Sequence, residues 1–323
     1  MKAYAIGDTV MLSAIVADLR RSYPQARIAF FAGRDNVGAA RLIKGIDEVV
    51  AFDISRPWTA VRELRRRRLD VVLDFGAWPR IEAAVTALAG AGYTVGFRTA
   101  GQYRHFCFDA AFTHSAEVHE LENYRALLAP LGVEPTAQPS IPADGVAAGR
   151  PDGRYVVLHL WPGGYQSWIK EWPQERWSAL VRELAARSYA IVLTGGPADE
   201  QRTQAFAEAC GSDGHAAINT AGRLGLAEVV SLLGSSDCVV SVNTGIMHLA
   251  AAAGAPTVGL NGPTSGRRWG PLGERSIGLD SEFEGCGYLN LGSEYEGRRT
   301  DCMEGISVER VLEAVRSLTA GAA

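Results

Sequence analysis

Short apolar runs alternate with stretches of 3.6-residue periodicity along most of this chain. In the N-terminal half, the runs at 26–33 (ARIAFFAG), 48–53 (EVVAFD), 69–76 (LDVVLDFG) and 92–97 (GYTVGF) predict strands, with helical stretches between several of them. Residues 2–7 (KAYAIG) predict an earlier and unusually short strand, followed by a helix over about 9–22. Two explanations fit its brevity: a start site recorded downstream of the true one, or a naturally short edge element. A helical pattern at 117–129 closes this part, and a Pro- and Gly-rich stretch follows it. The series then restarts. Strands are predicted at 154–160, 189–196, 237–243 and 255–262, and helices at 173–188, 199–210, 226–236, 246–254 and 307–320. Strand–helix alternation of this kind builds parallel sheets covered on both faces. Two such series predict an α/β protein of two doubly wound domains facing across a cleft, 1–148 and 149–323. Ligands in these domains bind beyond the carboxyl ends of the strands.

Composition narrows the reading. The chain has 323 residues, 47% hydrophobic and 21% charged, with a net charge of −4, an ordinary globular balance. Mild acidity argues against a broad nucleic-acid surface. Five scattered cysteines without a CxxC pair predict reduced thiols and a cytoplasmic location. No run is long and apolar enough to span a bilayer, and Asp8 interrupts the N-terminal apolar run too early for a signal peptide. Peripheral attachment to a membrane stays open. Arg62 and Arg65 to Arg68 either favour a helix C-terminus or meet anionic lipid or a phosphorylated glycan.

Candidate chemistry concentrates after the predicted strands. Asn243, Thr244 and Gly245 follow the strand at 237–243 and open a helix whose free N–H groups suit a diphosphate. His248 lies one turn further on, either as a donor to the ligand or as a core histidine. The small-residue run 249–254 lets that helix pack closely. The turn-prone stretch 261–271 is a candidate anion nest, with Arg267 and Arg268 as its positive charge or as plain surface. Lys170, in the loop after the strand at 154–160, is either a surface lysine or a counter-charge for a departing diphosphate. Thr194, Gly195 and Gly196 form a turn that either approaches a nucleotide or simply starts the next helix. Asp8 either caps the first helix or serves as a general base. His119, with Glu122 and Asn123, caps a helix or lines the cleft. No dinucleotide fingerprint, phosphate-binding GxxxxGK[ST] loop or zinc-ligand spacing is present, so neither a cofactor nor a metal is expected.

Together the segments 7–28, 168–180, 192–200 and above all 219–264 resemble glycosyltransferase family 9, the heptosyltransferase family of the GT-B fold. The resemblance covers nearly the whole chain. It implies an inverting transfer of a hexose or heptose from a nucleotide-sugar donor, typically ADP-linked, and the lack of a metal-ligand cluster makes that transfer metal-independent in expectation. The acceptor it implies is a hydroxyl of a lipopolysaccharide core or another surface glycan, handled by the N-terminal domain while the C-terminal domain binds the donor. Asp8 falls on the family's base. Lys170 falls on a donor-phosphate contact, and Asn243, Thr244, Gly245 and His248 fall on the donor segment, where members commonly carry aspartate in place of Asn243. The last helix often crosses back to the first domain in this fold, and the enzymes work at the cytoplasmic face of the inner membrane. Two other functions share the architecture: a nonhydrolysing sugar-nucleotide epimerase, and a glycan-binding protein without catalysis.

Overall fold

A computed structural model of the chain describes residues 1–145, 149–291, 294–295 and 297–320. It divides into two compact units, Met1–Ser140 and Ile141–Ala323. The boundary expected after residue 148, which lies outside the described residues, falls eight residues earlier. Backbone bonding sets it there: the Ser140 N–H donates to Ser13 Oγ (2.9 Å), whereas the buried Ile141 donates to the Ala252 carbonyl (2.9 Å).

The second unit carries, in chain order, β6 (Tyr155–His159), α6 (Gln174–Ala185), β7 (Ala190–Thr194), α7 (Glu200–Ser212), β8 (Ala217–Asn219), α8 (Leu226–Gly234), β9 (Cys238–Val242), α9 (Gly245–Ala252), β10 (Thr257–Asn261), α10 (Gly266–Trp269), β11 (Ser276–Asp280) and α11 (Val308–Thr319). Its sheet runs β11-β10-β9-β6-β7-β8 and every pair is parallel. Numbered from the unit's own first strand, this is the order 3-2-1-4-5-6, in which the direction of winding reverses between the first and fourth strands. That switch point lies between β6 and β9, where His159 pairs with Ser241. Both strands are buried along their whole length, as a sheet covered on two faces requires. Beneath them Trp172 and Trp177 meet edge to face at 4.9 Å, and the Trp172 indole donates to the Ile306 carbonyl (2.9 Å). Val311, Leu312, Ala314 and Val315 form a helical apolar stripe that enters the same core as α6, so α11 is anchored in the second unit.

The first unit carries α1 (Ile6–Ser22), β1 (Ala29–Ala32), α2 (Val37–Ala40), β2 (Glu48–Ala51), α3 (Pro57–Arg67), β3 (Val71–Leu73), α4 (Arg80–Ala87), β4 (Tyr93–Arg98), β5 (Ala110–Thr113) and α5 (Glu120–Ala126). Its strands form two parallel sheets, β1-β2 and β3-β4-β5. The strand expected at 2–7 reduces to a single bridge, Lys2 with Ala32. The chain turns at Ala5 (φ 70°) and α1 starts at Ile6. Gly33 lets the incoming chain pass, since a Cβ there would lie 1.9 Å from the Ala3 carbonyl oxygen.

Sequence separation misled on the cysteines. Cys286 and Cys302 are 16 residues apart in sequence, but the chain doubles back and brings their Cα atoms to 5.7 Å in a disulfide. Cys107, Cys210 and Cys238 are free thiols, and burial pushes Cys238 up to about 12.

Candidate active site

In the second unit the carboxyl ends of three adjacent strands, β7, β6 and β9, present the candidate residues in a row. Leaving β6, the chain enters a 3-10 turn, Ser167–Lys170, that holds Lys170 half-buried with its ammonium 3.4 Å from the Gly163 carbonyl. Burial lowers this lysine below its usual range. Leaving β9, Thr244 takes the N-cap position of α9 in an extended conformation and makes no side-chain cap bond. The first turn of α9 thus starts at the switch point without a cap bond from Thr244, and His248 sits buried one turn in.

Asn243 does not cap the helix. Its amide donates to Asn261 Oδ1 (2.6 Å) and to the Trp269 carbonyl (3.0 Å), tying the end of β9 to the end of β10 and to α10. A carboxylate could donate neither bond. Behind it Leu249 to Ala252 are buried, and a Cβ on Gly259 of β10 would lie 2.4 Å from the Met247 sulfur of α9.

Two candidate turns have hydrogen-bond partners within the protein. The Gly196 N–H is taken by the Asp199 carboxylate (2.8 Å), and a Cβ on Gly195 would meet Asp199 Cβ at 2.8 Å. The glycine turn after Thr194 thus accommodates its own acid cap. The stretch 261–271 is likewise no open nest, because Asp280 accepts the Gly266 N–H (2.7 Å) and Arg268 is buried against the Trp269 ring at 4.1 Å. Arg267 stays exposed.

His159 went unnoticed in the sequence, although it ends β6. Its Nδ1 lies 3.1 Å from the Thr194 carbonyl, and burial holds the imidazole down at about 4, so it is neutral near pH 7. A histidine closing a fully apolar strand (YVVLH) was the available signal.

In the first unit, Asp8 stands in the first turn of α1, where the N-cap position belongs to Ala5. Capping therefore does not occupy its carboxylate. Tyr124 of α5 donates its hydroxyl to Oδ1 (2.6 Å), and the Lys2 ammonium lies 3.6 Å from Oδ2 and 3.1 Å from the same tyrosine oxygen. Desolvation first, then the Asp8 charge, raises the Tyr124 phenol well above its ordinary value, so it remains a donor. Neither Lys2 nor Tyr124 had a sequence signal; Tyr124 is separated from Asp8 by 116 residues. His119 caps α5, its Nδ1 accepting from the Leu121 N–H (3.2 Å). Beside it Glu120 is buried against His114 (3.0 Å) and Asn123 (3.0 Å). Among the described residues no cluster of histidine, cysteine and acidic side chains has the geometry of a metal site.

Two α/β units with parallel sheets, one with a helix starting at its switch point and the other with a held carboxylate at its first helix, fit the GT-B fold. The family model for glycosyltransferase family 9 (heptosyltransferase) matches residues 58–287, and the chain belongs to that family; it is a glycosyltransferase. Lipopolysaccharide heptosyltransferase 1 of Escherichia coli K12 is 30% identical over 91% of this chain and 96% of its own length. Lipopolysaccharide heptosyltransferase 2 of the same strain is 25% identical over 97% and 95%. The match to lipooligosaccharide heptosyltransferase 2 of Haemophilus influenzae is 30% identical but spans only 49% of that relative. Among solved structures, E. coli ADP-heptose LPS heptosyltransferase II superposes with a TM-score of 0.79 at 23% identity, covering 99% of this chain and 98% of that one. A family 9 glycosyltransferase from Veillonella parvula gives 0.78 at 18% identity, covering 99% and 96%.

Proposed function

We propose that this enzyme transfers a heptose from an ADP-linked donor to a hydroxyl of a lipopolysaccharide core, with inversion and without a metal. The observation that carries the chemistry is the Asp8 carboxylate, engaged by Tyr124 and Lys2 and not by capping. The relatives' names, heptosyltransferases acting on lipopolysaccharide, support the substrate class.

In this reading the second unit holds the donor and the first holds the acceptor. The diphosphate accepts from the first-turn N–H groups of α9, with Lys170 as counter-charge, and His248 and Thr244 contact donor oxygens. Asp8 removes the proton from the acceptor hydroxyl as that oxygen attacks the anomeric carbon, and the nucleoside diphosphate leaves from the opposite face. Positive potential at the helix end and at Lys170 favours the charge that develops on the leaving oxygen. Tyr124 and Lys2 orient the carboxylate. The neutral His159 imidazole supports the floor of the donor site through Thr194. The exposed Trp58 and the arginines Arg62, Arg65, Arg66 and Arg68 of α3 and its end suit anionic lipid at the cytoplasmic face of the membrane that bears the acceptor. No helix among the described residues is long and apolar enough to cross a membrane.

The test incubates purified enzyme with a panel of nucleotide sugars and a heptose-deficient lipopolysaccharide acceptor. Mass gain on the acceptor that depends on ADP-heptose, of inverted anomeric configuration and undiminished by exhaustive chelation, is the expected result. Isomerised donor without acceptor, retained configuration, or activity restored only by a divalent cation would each overturn the corresponding part.

A further inference from the structure

The loop that leaves β6 carries an ammonium and a carboxylate on neighbouring residues, Lys170 at the end of its 3-10 turn and Glu171 just after it. Side chains of this length on adjacent positions can meet, and opposite charges at such range attract strongly at a protein surface. Here they do not pair. Among the described residues the Lys170 ammonium has one hydrogen bond, to the Gly163 carbonyl (3.4 Å), and no ion pair. Burial alone lowers this lysine, with no carboxylate offsetting the shift.

Glu171 is turned away by Arg202 of α7. The guanidinium donates through Nη1 to Glu171 Oε1 (3.0 Å), and through Nε and Nη2 to Asp199 Oδ1 (3.0 and 2.5 Å). It also lies over the Trp161 ring, 4.3 Å from the centroid. That indole is fixed in turn: its N–H donates to Thr203 Oγ1 (2.9 Å), and the threonine hydroxyl donates to the Asp199 carbonyl (2.7 Å). A planar fork with several donors suits this bridging of two acids over an aromatic face. The two acids differ in what else holds them. Asp199 keeps a second bond, from the Gly196 N–H to Oδ2 (2.8 Å), whereas Arg202 is the one side-chain partner of the Glu171 carboxylate among the described residues. Loss of the guanidinium therefore releases Glu171 and leaves Asp199 in place. The Arg202 and Glu171 side chains are 39% and 32% exposed, so substitutions at either leave the core intact.

We propose that Arg202 is a positioning residue for donor binding: it withholds the Glu171 carboxylate from Lys170, so that the ammonium stays available to a nucleoside diphosphate. This rests on the reading of the second unit as the donor site. Arg202 acts through Glu171 and not by contact with the ligand. The released carboxylate would neutralise Lys170, and the diphosphate would lose its counter-charge although every residue assigned to the donor remained in place.

Four variants of the full chain, titrated with ADP by calorimetry, test this. Arg202→Gln is expected to weaken ADP binding about ten-fold, within the range of couplings between charged neighbours. Its melting temperature should stay within about 2 °C of wild type, as for other surface substitutions. Arg202→Gln/Glu171→Gln is expected to bind ADP as wild type does, because no carboxylate remains to reach Lys170. Arg202→Gln/Glu200→Gln makes the same change in net charge by removing an acid of α7 that faces Arg223 at 3.9 Å, and is expected to stay as weak as Arg202→Gln. Undiminished affinity in Arg202→Gln overturns the proposal. A Glu171 double variant as weak as Arg202→Gln also overturns it, since the arginine would then only brace the loop. Equal recovery in both double variants overturns it as well, since net charge would then be the cause. Lys170→Ala, run alongside, isolates a failure of the donor-site reading. If wild type does not bind ADP, or if Lys170→Ala binds it equally well, that reading falls and the proposal with it; if Lys170→Ala is weakened, the other three variants decide.

Discussion

Replacing Asp8 by asparagine separates chemistry from architecture at a single position. Asp8 is not the N-cap of its helix, so the change keeps the shape and removes the proposed base. Turnover is expected to fall about 10²- to 10⁴-fold with donor affinity nearly unchanged, and near-wild-type turnover with the true acceptor would rule the role out. Asn243 makes the opposite case. An aspartate at this position would lose both donated bonds, to Asn261 and Trp269, and would set a carboxylate against a carbonyl oxygen. Asn243→Asp is expected to cost about 2 kcal/mol in urea denaturation, and an unchanged midpoint would show that the amide is not structural. His159 carries a pH signature. Its folded value of about 4 lies below the ordinary 6.5, so between those values the unfolded chain binds a proton that the folded chain does not. The stability this site contributes is complete above about pH 6.5 and is lost as pH falls to about 4. Glu82, raised to about 7 by burial first and then by the Asp74 charge, acts in the reverse sense, losing its contribution as pH rises through that value. The comparison must therefore be differential: a His159→Gln variant should lose less stability than wild type between pH 6.5 and 4, and parallel curves would refute the assignment.

At the scale of elements, the sequence was most legible where burial is complete. The strands β6, β7, β9 and β10 announce themselves as apolar runs, and α6 and α11 as amphipathic helices. The strands it did not disclose are β5, β8 and β11, short segments with half-exposed positions, the last two at the edges of their sheet. They owe their conformation to a neighbour's hydrogen bonds more than to their own pattern. In the candidate site, residues that follow strands were legible because topology places them. The partners of Asp8 were not, since a contact between α1 and α5 leaves no local trace. The disulfide was hidden for the same reason, and it has a thermodynamic consequence. Opening the Cys286–Cys302 ring, with its separation of 16 residues, should destabilise the second unit by about 3 kcal/mol, seen as a lowered melting temperature in reductant and in a Cys286→Ser/Cys302→Ser double variant. Equal melting in oxidised and reduced protein would contradict this.

For the molecule as a whole, the division into two units at Ser140 and Ile141 predicts where a nucleotide is felt. Saturating ADP should slow hydrogen exchange in residues 160–173 and 243–250 of the second unit while leaving α5 and β1 of the first unit unchanged. Protection centred on the first unit would reverse the assignment of donor and acceptor. The anchoring of α11 in the second unit gives the Cys286–Cys302 bridge a further effect. Because the segment between the two cysteines is a closed covalent loop, a protease that cuts inside it nicks the chain without releasing a fragment. The C-terminal helix would stay attached and docked, and the nicked protein would run as one species on a gel until a thiol was added.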